Sequence, residues 1–112
     1  MPIEHTIHKA GGDNGEYYTF TVFFKTQRMS QEKVGALKKE ADTLFRNQKV
    51  DTSVDRKIDL IGRSNQTVAI FHYTGNIHSR NHSAKKHTEQ DFDQICAHVA
   101  ALLELYDSSE DA

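Results

Sequence analysis

The segment 75–87 holds the densest group of side chains in this chain that could bind or react. It combines three histidines with three cations and contains no acidic residue; the six are His78, His82, His87, Arg80, Lys85 and Lys86. Arginine and lysine pair with phosphates and carboxylates, and imidazole titrates near neutral pH. We therefore predict that this basic segment binds an anionic partner, either an acidic protein surface or a nucleic acid.

The same histidines raise the question of a metal site. His78 and His82 are four residues apart, a spacing that places two ligands on one face of a helix. A third ligand would come from one of three nearby residues, His72, His87 or Asp91. The neighbouring cations repel a metal ion, so we assign no metal ligand.

A histidine beside a lysine also has the groups needed for acid–base cleavage of a phosphodiester or phosphate ester, and this enzyme remains an alternative. The chain has no glycine-rich phosphate loop and no recognised nucleophile motif. We therefore predict binding rather than catalysis, and we assign neither catalytic residues nor a cofactor.

The elements on either side must position this segment. Residues 67–74 have the β-branched and aromatic composition of a strand, and Thr88 with Asp91 resembles the capping pair that begins a helix. The segment is then a long loop that ends at free helix amides, which favour an anion. The predicted helix has an apolar stripe formed by Phe92, Ile95, Cys96, Val99, Leu102, Leu103 and Tyr106.

The rest of the chain predicts three further strands and one helix. Residues 3–10, 17–26 and 57–62 alternate as strands, and a helix begins after Ser30 and ends near Gln48. The order is ββαββα, with residues 18–24 and 67–73 in equivalent places of two halves. We predict an α+β two-layer sandwich, in which a four-stranded antiparallel sheet carries both helices on one face.

The sheet face away from the helices is the second candidate site. If Phe20, Val22 and Phe24 face the helices, alternation turns Tyr17 and Phe23 outward. The fourth strand is apolar on both faces, so the side chains that point outward from it are either Val68, Ile70 and His72 or Ala69, Phe71 and Tyr73. We favour the second set, and we expect an aromatic surface of Tyr17, Phe23, Phe71 and Tyr73. Such a surface suits a protein partner or a second copy of the chain, and its rings could also stack on single-stranded nucleic acid. Burial of these rings beneath an end of the chain remains open.

The totals fit a small regulatory, adaptor-like or inhibitor-like binding protein. The 112 residues predict one domain, 1–106, followed by an acidic flexible tail, 107–112. The net charge of −2 gives no overall preference for nucleic acid, and no apolar run is long enough to span a membrane. Cys96 is the only cysteine and no signal peptide is evident, so we expect a cytoplasmic protein.

Overall fold

The fold is an α+β two-layer sandwich, as predicted. The structure is a computed structural model that describes residues 3–11, 17–48, 54–76 and 82–108. Its elements are β1 (His5–Gly11), β2 (Tyr17–Gln27), α1 (Gln31–Asn47), β3 (Val54–Gly62), β4 (Gln66–Asn76) and α2 (His82–Ser108). The four strands form one antiparallel sheet in the order β1-β2-β4-β3, so β2 and β4 are central and β1 and β3 are the edges.

The two halves of the chain repeat with an offset of 49 positions. The central strands follow it, since β2 spans 17–27 and β4 spans 66–76, whereas the registers of the edge strands β1 and β3 differ from it by two residues. Val22 and Phe71, which are equivalent under this offset, lie opposite each other in the β2–β4 pairing. An approximate two-fold axis therefore passes between them, and the equivalence predicted from residues 18–24 and 67–73 is confirmed.

Helix α1 follows the sequence prediction closely. The Ser30 side chain accepts a hydrogen bond from the backbone N–H of Lys33, which satisfies one of the free amides of the first turn. Leu37, Ala41 and Phe45 are buried on the face that packs over β3. The helix ends at Asn47, and the N–H of Gln48 returns to the carbonyl of Leu44.

Helix α2 begins at His82, six residues earlier than the predicted cap at Thr88. The predicted loop is therefore wrong at both ends, because residues 75 and 76 belong to β4 and residues 82–87 to α2. Ala84, Lys85 and Lys86 favour a helix, and no glycine or proline interrupts 82–108. At its other end α2 continues to Ser108, two residues into the predicted tail.

The core lies between the sheet and the helices. Phe20, Val22 and Phe24 of β2 are buried against the helix layer, as predicted. The predicted stripe of α2 supplies Phe92, Ile95, Val99 and Leu103 to the same core. The Phe20 and Phe92 rings stack with centroids 3.9 Å apart, which fixes α2 over the centre of the sheet.

Strand β3 begins earlier than predicted. It includes residues 54–56, which precede the predicted strand 57–62. Val54 pairs with Gly75, so the extra residues follow the unexpected length of β4. A strand end without an alternating pattern depends on its partner, because the ladder hydrogen bonds stabilise it.

Candidate binding surface

No described helix covers the second face of the sheet, and we call this surface the open face. Burial alternates along the central strands, so partly exposed residues point to this side between buried ones. The register places residues of β1 and β3 beside them. The described side chains on the open face include Thr6, His8, Thr19, Thr21, Phe23, Lys25, Lys57, Asp59, Ile61, Val68, Ile70, His72 and Thr74.

The prediction that Phe71 and Tyr73 point outward is wrong. Both side chains point to the helix side of the sheet and are fully buried. The Phe71 ring stacks on the Phe45 ring with centroids 5.5 Å apart, and the Tyr73 hydroxyl donates a 2.6 Å hydrogen bond to Asp91. The register explains the direction, since Phe71 lies opposite the buried Val22. Strand β4 is apolar on both faces, so its own sequence could not decide between them.

The open face is therefore largely aliphatic at its centre rather than aromatic. Phe23 points outward as predicted, and it lies opposite Ile70 across the central strand pair. Val68 lies opposite Ile61, whose side chain is 38% exposed. These four residues form what we call the apolar patch, which crosses three strands of the sheet.

Polar side chains border the apolar patch. The register sets His8, Thr21, His72 and Lys57 in one row across all four strands, next to the row that contains Phe23 and Ile70. The His8 ring also meets the Phe23 ring edge-on at 5.5 Å. A patch of apolar side chains inside a polar border is the usual composition of a protein interface.

His72 of this row contacts Asp59, which lies beside Ile70 in the neighbouring row. His72 Nε2 lies 3.3 Å from Asp59 Oδ2, and Lys38 Nζ lies 3.9 Å from the other oxygen of the same carboxylate. Thr21 is the cross-strand neighbour of His72, yet no hydrogen bond joins these two described side chains. The row therefore places polar and charged side chains at the edge of the patch, but it does not pair the Thr21 hydroxyl, as a nucleophile, with the His72 imidazole, as a base.

A second polar cluster lies on the helix side of the sheet. Tyr73, Asp91 and Arg56 meet there, and burial together with the Asp91 carboxylate raises the pKa of the Tyr73 hydroxyl above its ordinary range. Arg56 Nη2 donates to the carbonyls of Phe45 and Gln48 at the end of α1. This cation satisfies free carbonyls at the negative end of the helix dipole, so the cluster stabilises the fold.

The candidate metal ligands do not converge within the described part of the chain. His72 lies on the open face and Asp91 on the helix side, so the sheet separates them. The described residues contain no group of three histidine, cysteine, aspartate or glutamate side chains that could hold a metal ion. His78, which was considered as a ligand, lies outside the described residues.

Residues 77–81 of the predicted basic segment also lie outside the described residues. Arg80 falls in the stretch 77–81, whereas His82, Lys85, Lys86 and His87 belong to the first turns of α2 by their backbone. Their side chains, and that of Tyr17 in β2, are not among the described ones. The anion-binding role of this segment stays a prediction.

A groove of about 790 Å³ between α1 and α2 is the other notable surface. Leu44, Leu102 and Leu105 line it, and Leu105 is 64% exposed. Charged residues of α1 also line the groove, among them Lys39 and Glu40. Leu105 therefore offers a control position away from the sheet.

Cys96 does not have the properties of a reactive thiol. It packs beside the core on α2, where burial and the nearby Asp93 carboxylate raise the pKa of its thiol to about 11. The thiol therefore stays protonated near neutral pH, and the protonated form is a poor nucleophile. This agrees with its place in the apolar stripe.

Comparison with known proteins gave no match. No family model fits the chain, and no curated protein or solved structure is significantly similar to it. None of the described helices is both long and apolar enough to cross a membrane.

Proposed function

We propose that this chain is a non-enzymatic binding protein that recognises another protein through the open face. The observation that carries the proposal is the apolar patch of Phe23, Ile61, Val68 and Ile70, which no described helix covers. Contiguous exposed apolar surface on a small domain commonly marks an interaction site. Phe23 and Ile70 lie opposite each other on the two central strands of the sheet, and residues near the middle of an interface usually dominate its binding energy.

Polar and charged side chains at the border of the patch would orient a bound partner. The His72 and Asp59 side chains contact each other beside Ile70, while Lys25 on β2 and Lys57 on β3 add exposed positive charge. Charged groups around an apolar centre steer association and select the partner more than they add affinity. Arg80, Lys85 and Lys86 of the basic segment provide a further contact for an acidic region of the same partner.

Binding of single-stranded nucleic acid is less well supported by this geometry. Sheet-based RNA readers stack bases on exposed rings, and that hypothesis required Phe71 and Tyr73 on the open face. Both rings are buried, so Phe23 remains the only phenylalanine among the described open-face side chains. The acidic Asp59 at the patch border further disfavours a polyanion.

The test is affinity capture from extract of the source cells with two matched variants. Phe23→Thr with Ile70→Thr removes the apolar centre but keeps residues that favour strands. Leu105→Gln removes a more exposed apolar side chain from the helix layer and serves as the control. We expect proteins captured by the wild type to be lost with the double variant and retained with the control, after circular dichroism has shown that both fold.

Equal capture by all three proteins would refute the proposal, as would loss with Leu105→Gln alone. A captured protein should then be purified, and its binding measured directly with the same variants. Replacement of Arg80, Lys85 and Lys86 by alanine tests the basic segment separately. Binding should weaken, and its dependence on salt between low and physiological ionic strength should decrease.

A further inference from the structure

The two edge strands of the sheet differ in how their outward backbone groups are covered. At the β3 edge, the N–H of Arg63 donates to the carbonyl of Gln66 at 2.8 Å. This bond shows that the odd-numbered residues of β3 exchange backbone hydrogen bonds with β4. Even-numbered residues of β3 therefore direct their backbone groups away from β4. Lys38 Nζ from α1 donates to the outward carbonyl of Ile58, so a charged side chain covers the middle of this edge.

In β1, as in β3, alternate residues direct their backbone N–H and C=O groups out of the sheet. The N–H of Lys25 donates to the carbonyl of Glu4 at 3.1 Å, and the register continues without a bulge through Gly11. The N–H and C=O groups of Glu4, Thr6 and His8 consequently face β2. Those of His5 and Ile7 point away from it, toward the outer edge of the sheet.

Ile7 makes this edge unusual. Its side chain lies on the helix side, opposite the buried Val22, but it is 46% exposed because α2 lies over β2 and β4. The β3 residue at the equivalent place, opposite Phe71, is Ile58, which is fully buried because α1 packs over β3. Natural sheets avoid an exposed apolar residue on an edge with outward backbone groups, because such an edge recruits another strand.

We propose that β1 pairs antiparallel with β1 of a second copy of this chain, with Ile7 opposite Ile7, to form a continuous eight-stranded sheet. A two-fold axis through a hydrogen-bonded pair requires a residue whose N–H and C=O both point outward, and Ile7 meets that condition. The two Ile7 side chains then cover each other on the helix side. The two copies exchange a reciprocal pair of backbone hydrogen bonds at the centre.

The neighbouring side chains favour this register over its alternatives. Thr6 comes to lie opposite His8 of the second copy on the open face, and His5 opposite Lys9 of the second copy. Lys9 is already paired with Glu89, Nζ to Oε1 at 3.2 Å, so its charge is balanced within its own subunit. A register centred on His8 would set two histidines face to face and place the exposed isoleucine opposite a lysine.

The inference goes beyond the proposed function, because the edge and the open face use different side chains. Dimerisation would join two open faces into one surface. A single edge pairing buries less area than a standard protein interface, so we expect a dimer that dissociates on dilution. Its concentration dependence is therefore the first observable.

The experiment is sedimentation velocity across a wide concentration range, with proline substitutions as the probe. Ile7→Pro removes an amide that points out of the sheet, and proline is tolerated at such edge positions. We expect Ile7→Pro to weaken dimerisation at least tenfold with the fold retained. His8→Pro removes an amide that faces β2, so this matched control should destabilise the fold itself.

Hydrogen exchange at single amides gives an independent readout in the wild type. The Ile7 amide should exchange rapidly in dilute protein and become protected as the dimer forms, while the His8 amide stays protected throughout. If Ile7→Pro does not fold, Ile7→Arg replaces it and sets two like charges across the axis. The proposal fails if the wild type stays monomeric or if these variants dimerise like the wild type. It also fails if the exchange rate of the Ile7 amide does not depend on protein concentration.

The double variant Phe23→Thr with Ile70→Thr separates the two proposals. It should dimerise normally, because neither side chain lies on the outer edge of β1. Loss of dimerisation in this variant, with Ile7→Pro unaffected, would mean that copies associate through the open face, and would refute the edge pairing. Loss of partner capture with dimerisation intact would support the open-face proposal alone.

Discussion

Phe71 and Phe23 lie on adjacent central strands and point to opposite sides of the sheet, so truncating each to alanine tests the orientation of β4. Phe71 is fully buried, and its ring lies 5.5 Å from Phe45, 6.3 Å from Phe92 and 6.4 Å from Tyr73, between centroids. Removing such a ring from a core costs about 3–5 kcal/mol of unfolding free energy. Phe71→Ala should lose an amount in this range.

Phe23 is partly exposed, and its described ring contact is the edge-on meeting with His8 at 5.5 Å. We expect Phe23→Ala to cost about 1 kcal/mol, which is typical of a substitution outside the core. Both positions are in central strands, so the change in strand propensity is similar and largely cancels in the comparison. The difference between the two variants, about 2–4 kcal/mol, therefore measures burial.

The assay is urea unfolding followed by far-ultraviolet circular dichroism. With a slope of about 2 kcal/mol per molar urea, which is typical of a small domain, the two midpoints should differ by about 1–2 M. Equal losses of stability, or a larger loss for Phe23→Ala, would contradict the buried position of Phe71. The aromatic open face inferred from the sequence would then be restored.

Three further predictions concern Tyr73 and Cys96, which both lie on the helix side of the sheet. Tyr73→Phe should lower the free energy of unfolding by about 1.5–3 kcal/mol, the usual contribution of a hydrogen bond to a charged group. The same substitution should cost much less when Asp91 has already been replaced by alanine. Equal costs in the two backgrounds, measured by urea unfolding, would exclude an interaction between Tyr73 and Asp91. Because the pKa of Tyr73 is raised in the folded state, its contribution is complete below about pH 10 and is lost as pH rises above that value, so Tyr73→Phe should reduce the alkaline loss of stability. Since the pKa of Cys96 is about 11, the folded protein should react slowly with a disulfide reagent at pH 8 and quickly once urea unfolds it; equal rates would contradict its burial.

The sequence alone determined the order of elements and the main core stripes. Alternation in residues 17–26 identified β2 and its buried face, and helical spacing identified the stripes that include Leu37 in α1 and Val99 in α2. These signals are local, since each depends on residues a few positions apart. The equivalence of the two halves was also visible, because similar strands recur at a fixed offset.

Only the tertiary structure decided the direction of β4 and the composition of the open face. Residues 67–73 are apolar on both sides, so pairing with β2, and packing against Phe45 and Phe92, selected the buried set. The start of α2 was likewise missed, because a capping pattern at Thr88 competed with good helix formers before it.

The contrast between the two sheet edges needed the structure as well. Whether Ile7 or His8 directs its amide outward depends on the register with β2, which no local pattern in residues 5–11 encodes. Lys38 covers the β3 edge from a helix that is distant in sequence. Local sequence thus determined which elements form, and long-range pairing decided which of their surfaces remain available to a partner.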